Sequence, residues 1–181
     1  MASGSTKAVY AAIAGNSAVM LAKFGAFAVT GSAAMLSEGI HSFADVGNQS
    51  LLALGISKSE EAPSAAYPYG RQRERFVWAL ISAVGIFFLG AGVSVYHGID
   101  TLLHPHLDAE EFRSQIGILV AVLAFSLVVE GFTLLVALRA VAAEREGKGF
   151  LEWFRSSPDP MGAAVVLEDG AAVGGVLVAS G

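Results

Sequence analysis

The stretch from Met35 to Gly55, MLSEGIHSFADVGNQSLLALG, decides how this chain is read. It is long and apolar enough to cross a bilayer, which takes roughly 20 residues. Yet Glu38, His41, Asp45 and Asn48 fall at i, i+3, i+7 and i+10. On an α-helix those positions share one stripe within about 60° of arc. Ile40, Phe43, Val46 and Leu51 leave the other faces apolar. An Asp, Lys or Arg at the centre of a membrane helix costs roughly 2.5–3.5 kcal/mol on insertion scales. Three ionisable groups on one stripe must therefore face a protein interior or a water-filled path. His41 and Asp45, at i and i+4, can both ligate one cation, and imidazole with carboxylate suits zinc and similar divalent ions. The plainer reading is a polar stripe that only hydrogen-bonds to a neighbouring helix. Two carboxylates gain little from pairing with each other, which speaks against it.

The rest of the chain agrees with a membrane setting. Of 181 residues, 54% are hydrophobic and only 15% charged, and the mean hydropathy is +0.60. A soluble domain is nearer a quarter charged, and disorder needs few apolar residues. Cysteine is absent, so no disulfide, thiolate metal site or thiol nucleophile forms within these residues. The net charge of −5 and the lack of a basic block give no sign of nucleic acid. Five apolar stretches predict an all-α, polytopic transmembrane bundle, with spans at about 8–29, 33–56, 76–103, 116–138 and 161–180. The first is too long, and too polar at Asn16 and Lys23, for a cleaved signal. With the N-terminus in the cytoplasm, Lys7, Lys58, Arg71, Arg73, Arg75, Arg139, Arg145, Lys148 and Arg155 all lie inside. Those are nine of the 11 basic residues, the asymmetry the positive-inside rule expects. Between the fourth and fifth spans, Phe150, Leu151, Trp153 and Phe154 are expected at the membrane interface.

Other ionisable residues fall at membrane depth. Glu168 and Asp169 are adjacent in the middle of the fifth span, and one of them could complete a site with His41 and Asp45. They stand about 100° apart on a helix, so both do not face one ion equally. Alternatively, that segment is not membrane-embedded. Lys23, on the same face of the first span as Asn16, either pairs with a carboxylate in the bundle or snorkels. Glu130, with Ser126 and Thr133, makes a polar face on the fourth span. It is a proton relay, a partner of Lys23 or a plain hydrogen-bonding group. Glu38, Lys23, Asn48 and Glu130 are thus candidates for relay or supporting roles. His97, Asp100, His104, His106 and Asp108 sit at the outer end of the third span and beyond it. They could meet an exiting ion, but His and Asp are ordinary residues at a wet membrane edge. The Asn48-Gln49-Ser50 sequon lies inside a helix, and the chain has no HExxH, phosphate loop or G-x-S-x-G. No enzyme is expected.

Residues Gly31 to Asp45 resemble the cation diffusion facilitator family, the zinc-transporting antiporters of solute carrier family 30. His41 and Asp45 match the [HD]-x-x-x-D motif of the family's second helix. Tyr67-Pro68-Tyr69-Gly70-Arg71 looks like its His-Pro-x-Gly segment, with Tyr67 in place of the usual His. The runs at 87–92 and 96–99, Glu130-Gly131-Phe132-Thr133 and Leu167-Glu168-Asp169 resemble the member-nine branch. If Asp169 is the Asp of the fifth-helix motif, Val165 stands at its other ligand position and cannot bind metal, which makes Glu168 the compensating candidate. Family members have six spans, usually with a cytoplasmic metal-binding domain. The chain is therefore expected to be an N-terminal five-helix fragment that lacks the sixth span and that domain.

The resemblance implies export of a divalent cation from the cytoplasm in exchange for protons. His41, Asp45, Asp169 and Glu168 are the metal candidates. Zinc is the default ion, with manganese, iron, cobalt and nickel open. The chemistry is compatible, because a metal entering such ligands must displace their protons. Expected partners are the cation, protons, membrane lipid and, in the full-length protein, a second copy of the chain. The expected location is a bacterial inner membrane. Two rival readings are a membrane scaffold or partner subunit that keeps the transporter fold without transporting, and an intramembrane metalloenzyme.

Overall fold

The computed structural model of the chain describes residues 4–85, 88, 92–103, 109–145, 147, 149–156 and 160–180. They form seven helices: α1 (Gly4–Thr30), α2 (Ala33–Ser59), α3 (Glu74–Gly85), α4 (Gly92–Leu103), α5 (Ala109–Glu144), α6 (Phe150–Ser156) and α7 (Pro160–Ser180). α1, α2, α5 and α7 cover the first, second, fourth and fifth apolar stretches and overrun most of their ends. The third stretch, expected as one helix, is described as α3 and α4, and residues 86–87 and 89–91 between them lie outside the described residues. Two described segments, Gly4–Thr30 and Ile116–Glu144, are long and apolar enough by themselves to cross a membrane.

The connections follow from turn chemistry. Gly31 takes φ +66, a left-handed conformation that a side chain would strain, and so reverses the chain between α1 and α2. The Thr30 hydroxyl donates to the Ala26 carbonyl at 2.8 Å and accepts the Ser32 N–H at 3.2 Å, which closes the end of α1. Pro160 opens α7, where its missing N–H costs nothing. The α2–α3 connector is held by charge. Arg71 donates to Glu61 and Glu74, each at 2.8 Å, and its guanidinium lies 4.5 Å from the centre of the Tyr67 ring. Lys58 donates to Glu61 at 2.7 Å, Trp78 Nε1 to Glu74 at 2.9 Å and Arg75 Nε to Ser59 at 2.9 Å. Lys58 first, then Arg71, hold the Glu61 carboxyl below its ordinary range.

α1 packs against α2, α5 and α7; α7 also meets α5 and α3, and α2 meets α3. The buried residues of α1 are Ser5, Ala8, Val9, Ala12, Asn16, Val19, Lys23 and Ala26, an i, i+3, i+4 stripe. Toward the start of α1 this stripe meets an apolar cluster of Leu52, Ile56, Ala137, Val141, Trp153, Met161, Val165 and Val166. Trp153 is buried in that cluster. Leu151 and Phe154 remain exposed. The small α6 thus turns its indole inward under the end of the bundle.

The outside of the bundle is apolar and much of its inside is polar. Leu21, Leu80, Val128, Phe132 and Leu135 are exposed, while Asn16, Lys23, Ser42, Asn48, Gln49, Ser82, Ser126, Glu130, Thr133 and Asp169 are buried. In water that arrangement would waste the hydrophobic effect. In lipid it is the favourable one, because hydrocarbon gives polar groups no partners.

Candidate cation site within the helix bundle

The polar interior begins on α2. Its most buried stripe runs through Met35, Gly39, Ser42, Gln49, Leu52 and Ile56, so Glu38, His41 and Asp45 lie along the margin of that stripe. His41 Nε2 stands 3.9 Å from Asp45 Oδ2, one helical turn away, with side chains 46% and 21% exposed. That spacing is too long for a hydrogen bond but leaves both groups facing one point.

Polar links to other helices flank this pair along α2. On the side of the α1–α2 turn, Lys23 Nζ donates to Glu38 Oε2 at 2.9 Å and to Ser42 Oγ at 3.0 Å. Lys23 is therefore paired inside the bundle. On the other side, Ser82 Oγ of α3 donates to Asn48 Oδ1 at 2.5 Å, and Asn48 Nδ2 donates to Glu168 Oε2 of α7 at 2.9 Å. This chain ties three helices through one amide.

The acids of α5 and α7 complete the interior. Glu168 and Asp169 are both within electrostatic reach of Asp45, and Asp169 also of Glu130. Glu130 in turn is within reach of Lys23, Asp45, Glu38 and His41, although the direct partners of Lys23 are Glu38 and Ser42. The Thr133 hydroxyl contacts the Glu130 carbonyl at 2.9 Å and hydrogen-bonds to Asp169. It owns a single proton, so the Glu130 carbonyl and an ionised Asp169 carboxylate compete for it. Glu130 Oε2, Glu168 Oε1, Asp169 Oδ2 and both amide atoms of Gln49 are buried with no hydrogen-bond partner among the described residues. Buried polar atoms in folded proteins are usually paired with protein or ordered water, so this concentration makes the interior the candidate site.

Among the described residues, no three His, Cys, Asp or Glu side chains already stand close enough to share an ion. His41 and Asp45 on α2, Glu130 on α5 and Glu168 and Asp169 on α7 thus lie within electrostatic range of one another, and His41 and Asp45 are the pair in close approach. Val165, one turn before Asp169, is fully buried in the apolar cluster and contributes no polar atom. Gln49 is the residue the sequence reading passed over. The signal was present, since it stands four residues after Asp45 on the same side of α2, but a neutral amide draws no attention in a charge-based reading. The His97 side chain, His104, His106 and Asp108 lie outside the described residues.

Comparison with known proteins supplies the context. Residues 9–181 match the cation efflux transmembrane domain. The mouse protein named proton-coupled zinc antiporter SLC30A9, mitochondrial, is 46% identical over 127 residues, covering 69% of this chain and 22% of its own length; the human protein of that name gives the same figures. Metal tolerance protein C4 of Arabidopsis thaliana is 40% identical over 129 residues, covering 69% of this chain and 27% of its own length. The chain thus spans about a quarter, or less, of the length of these relatives. An all-helical bundle with an apolar exterior, polar groups buried at its centre and a match over nearly all its residues belongs, as this chain does, to the cation efflux family of membrane proteins.

Proposed function

We propose that the chain is the helical core of a divalent cation transporter, with zinc as its ion, that exports the cation from the cytoplasm in exchange for protons. The observation that carries this reading is the pairing of His41 with Asp45 on α2, within electrostatic range of Glu130, Glu168 and Asp169 in an apolar-surfaced bundle, with several carboxylate oxygens unpartnered among the described residues. An anionic site in lipid is costly to leave empty, and protons are the alternative occupants to a metal ion. His41 and Asp45 form the fixed half of the site. Asp169, or Glu168 after release from Asn48, supplies the other half when α7 closes on α2. Opening and closing of that contact offers the site to each side in turn. The names of the mouse, human and plant relatives speak for zinc or another metal and, in the antiporters, for proton coupling.

Mixed nitrogen and oxygen ligands favour zinc over manganese, iron, cobalt and nickel among the ions such a site accepts. In our reading five membrane spans are present, the N-terminus is cytoplasmic, the full-length protein is a homodimer and the membrane is a bacterial inner membrane. The basic connectors carry the orientation. The absence of cysteine makes it testable, because single cysteines placed at positions 64 and 108 should label from the cytoplasmic and outer faces respectively.

A second reading, a partner subunit that keeps the fold without transporting, has one observation in its favour. Val165 occupies a ligand position of the family motif and is packed into the apolar cluster. Calorimetry of zinc binding in buffers of different ionisation enthalpy separates the two. Transport by exchange predicts that about one proton or more leaves per zinc bound near pH 6.5, where histidine as a residue type changes charge. A count near zero, with affinity flat between about pH 5.5 and 7.5, favours the partner subunit.

A further inference from the structure

Lys23 is the one cation buried at the centre of the described bundle, and the reading above gives it no task. Its side chain is 3% exposed, against 44% for Glu38, and two of its three N–H groups are used by Glu38 Oε2 at 2.9 Å and Ser42 Oγ at 3.0 Å. The ammonium is almost wholly enclosed by protein, and Glu38 is its direct counter-ion. Separating the two would leave an uncompensated buried charge, among the costliest defects a protein interior can carry. Glu38 is thus committed to Lys23, although it lies on the same stripe of α2 as His41 and Asp45. The charge of Lys23 is also felt beyond this contact, at Asp45 and at Glu130. At 1.5 Å per residue, Glu38 stands about 10 Å along α2 from Asp45, and the ammonium, shared between Glu38 and Ser42, lies between them.

We propose that Lys23 is a built-in counter-cation that withholds Glu38 from the transported ion and weakens the site toward a dication, so that the ion is released rather than trapped. The inference rests on the cation-site reading above and deepens it. Lys23 touches no ion in this account; it is a positioning residue that acts through Glu38 and through its own charge. A second carboxylate beside His41 and Asp45, freed from its partner, would give the ion one more oxygen ligand and a more negative surrounding. Both changes tighten binding, and tight binding slows release.

The test uses the full-length protein, zinc ion as the probe, equilibrium binding in detergent and flux in proteoliposomes. Lys23→Met should bind zinc on the order of 100-fold more tightly, the effect of one unit charge on a dication over about 10 Å at an effective dielectric near 20, and its maximal flux should fall. Lys23→Met/Glu38→Gln should lose that gain, since the freed carboxylate is gone. Lys23→Arg, which keeps the charge, should stay near the parent affinity. A merely structural lysine would give weaker binding in both single variants and no reversal in the double. Unchanged or weaker binding by folded Lys23→Met overturns the proposal, and so does a gain that persists in the double variant. Where the methionine variant does not fold, Lys23→Gln retains donors for Glu38 and Ser42 and carries the same comparison. Asp45→Asn separates this failure from that of the underlying reading. If Asp45→Asn abolishes zinc binding while Lys23→Met fails to tighten it, the role of Lys23 is wrong and the site stands. If Asp45→Asn binds zinc like the parent, the site itself is wrong.

Discussion

Gly15 shows how closely α1 and α5 approach beside the polar interior. A Cβ built on Gly15 would lie 2.5 Å from Thr133 Cγ2 and 3.2 Å from Val129 Cγ1. Ordinary carbon–carbon contact needs about 3.5–4.0 Å, so Gly15→Ala requires the threonine methyl to retreat by about 1 Å. Thr133 is fully enclosed, and its hydroxyl is tied to the Glu130 carbonyl and to Asp169, so the side chain has no free direction to take. Overpacking of this kind costs about 1–3 kcal/mol. For a chain of this size that lowers the melting temperature by roughly 2–4 °C per kcal/mol. The partner substitution is Thr133→Ser, which removes the obstructing methyl and keeps the hydroxyl. Alone it should cost about 1 kcal/mol for the lost methyl. Combined with Gly15→Ala it should restore much of the stability, because the new methyl occupies the vacated space. Thermal unfolding of the four proteins in one detergent measures the cycle. Close packing of Gly15 on Thr133 should give a coupling of about 1 kcal/mol or more in favour of the double variant. If the two effects add to within about 0.5 kcal/mol, Gly15 and Thr133 do not meet and the α1–α5 register described above is wrong.

Further outcomes follow from other parts of the bundle. Val128 is 72% exposed, and Val128→Arg would be harmless on a soluble surface; facing lipid, it should cost roughly 2.5–3.5 kcal/mol in a membrane-insertion assay. Asn48→Ala strands Ser82 and Glu168 without their shared amide, and should lower thermal stability by about 1–3 kcal/mol. The connector between α2 and α3 should be sensitive to acid. Glu61 has its carboxyl lowered from an ordinary 4.5, so its contribution to order is complete above that value and is lost as pH falls through the lower folded value. Hydrogen exchange of residues 60–73, corrected for intrinsic rate, should accelerate only at such acid pH. Glu61→Gln should show the faster exchange already at pH 7.

The helices were legible in the sequence because apolar length and Gly or Pro punctuation are local signals. α1 and α7 match the expected stretches at nearly every residue. The third stretch is described as helix on both sides of residues 86–91, ERFVWALISAVG before them and GVSVYHGIDTLL after, as its apolar length suggested. The ionisable stripe on α2 was visible as a stripe, but its rotation in the bundle was not. Charge drew the eye to Glu38, His41 and Asp45, whereas the centre of the buried face is Ser42 and Gln49, which are neutral. The partner of Lys23 could not be read either. Pairing within a helix is set by spacing, but Lys23 and Glu38 meet across the α1–α2 turn, and only the packed geometry distinguishes Glu38 from Glu130 as the direct contact.

The most direct test of the central claim is zinc flux by the full-length protein in proteoliposomes carrying an imposed proton gradient, with and without Asp45→Asn. The account predicts zinc movement against the direction of proton flow in the parent protein, abolished when the gradient is collapsed and lost in Asp45→Asn while its fold and helicity are retained. Flux by a folded Asp45→Asn protein equal to that of the parent, or zinc movement indifferent to the proton gradient, would contradict it.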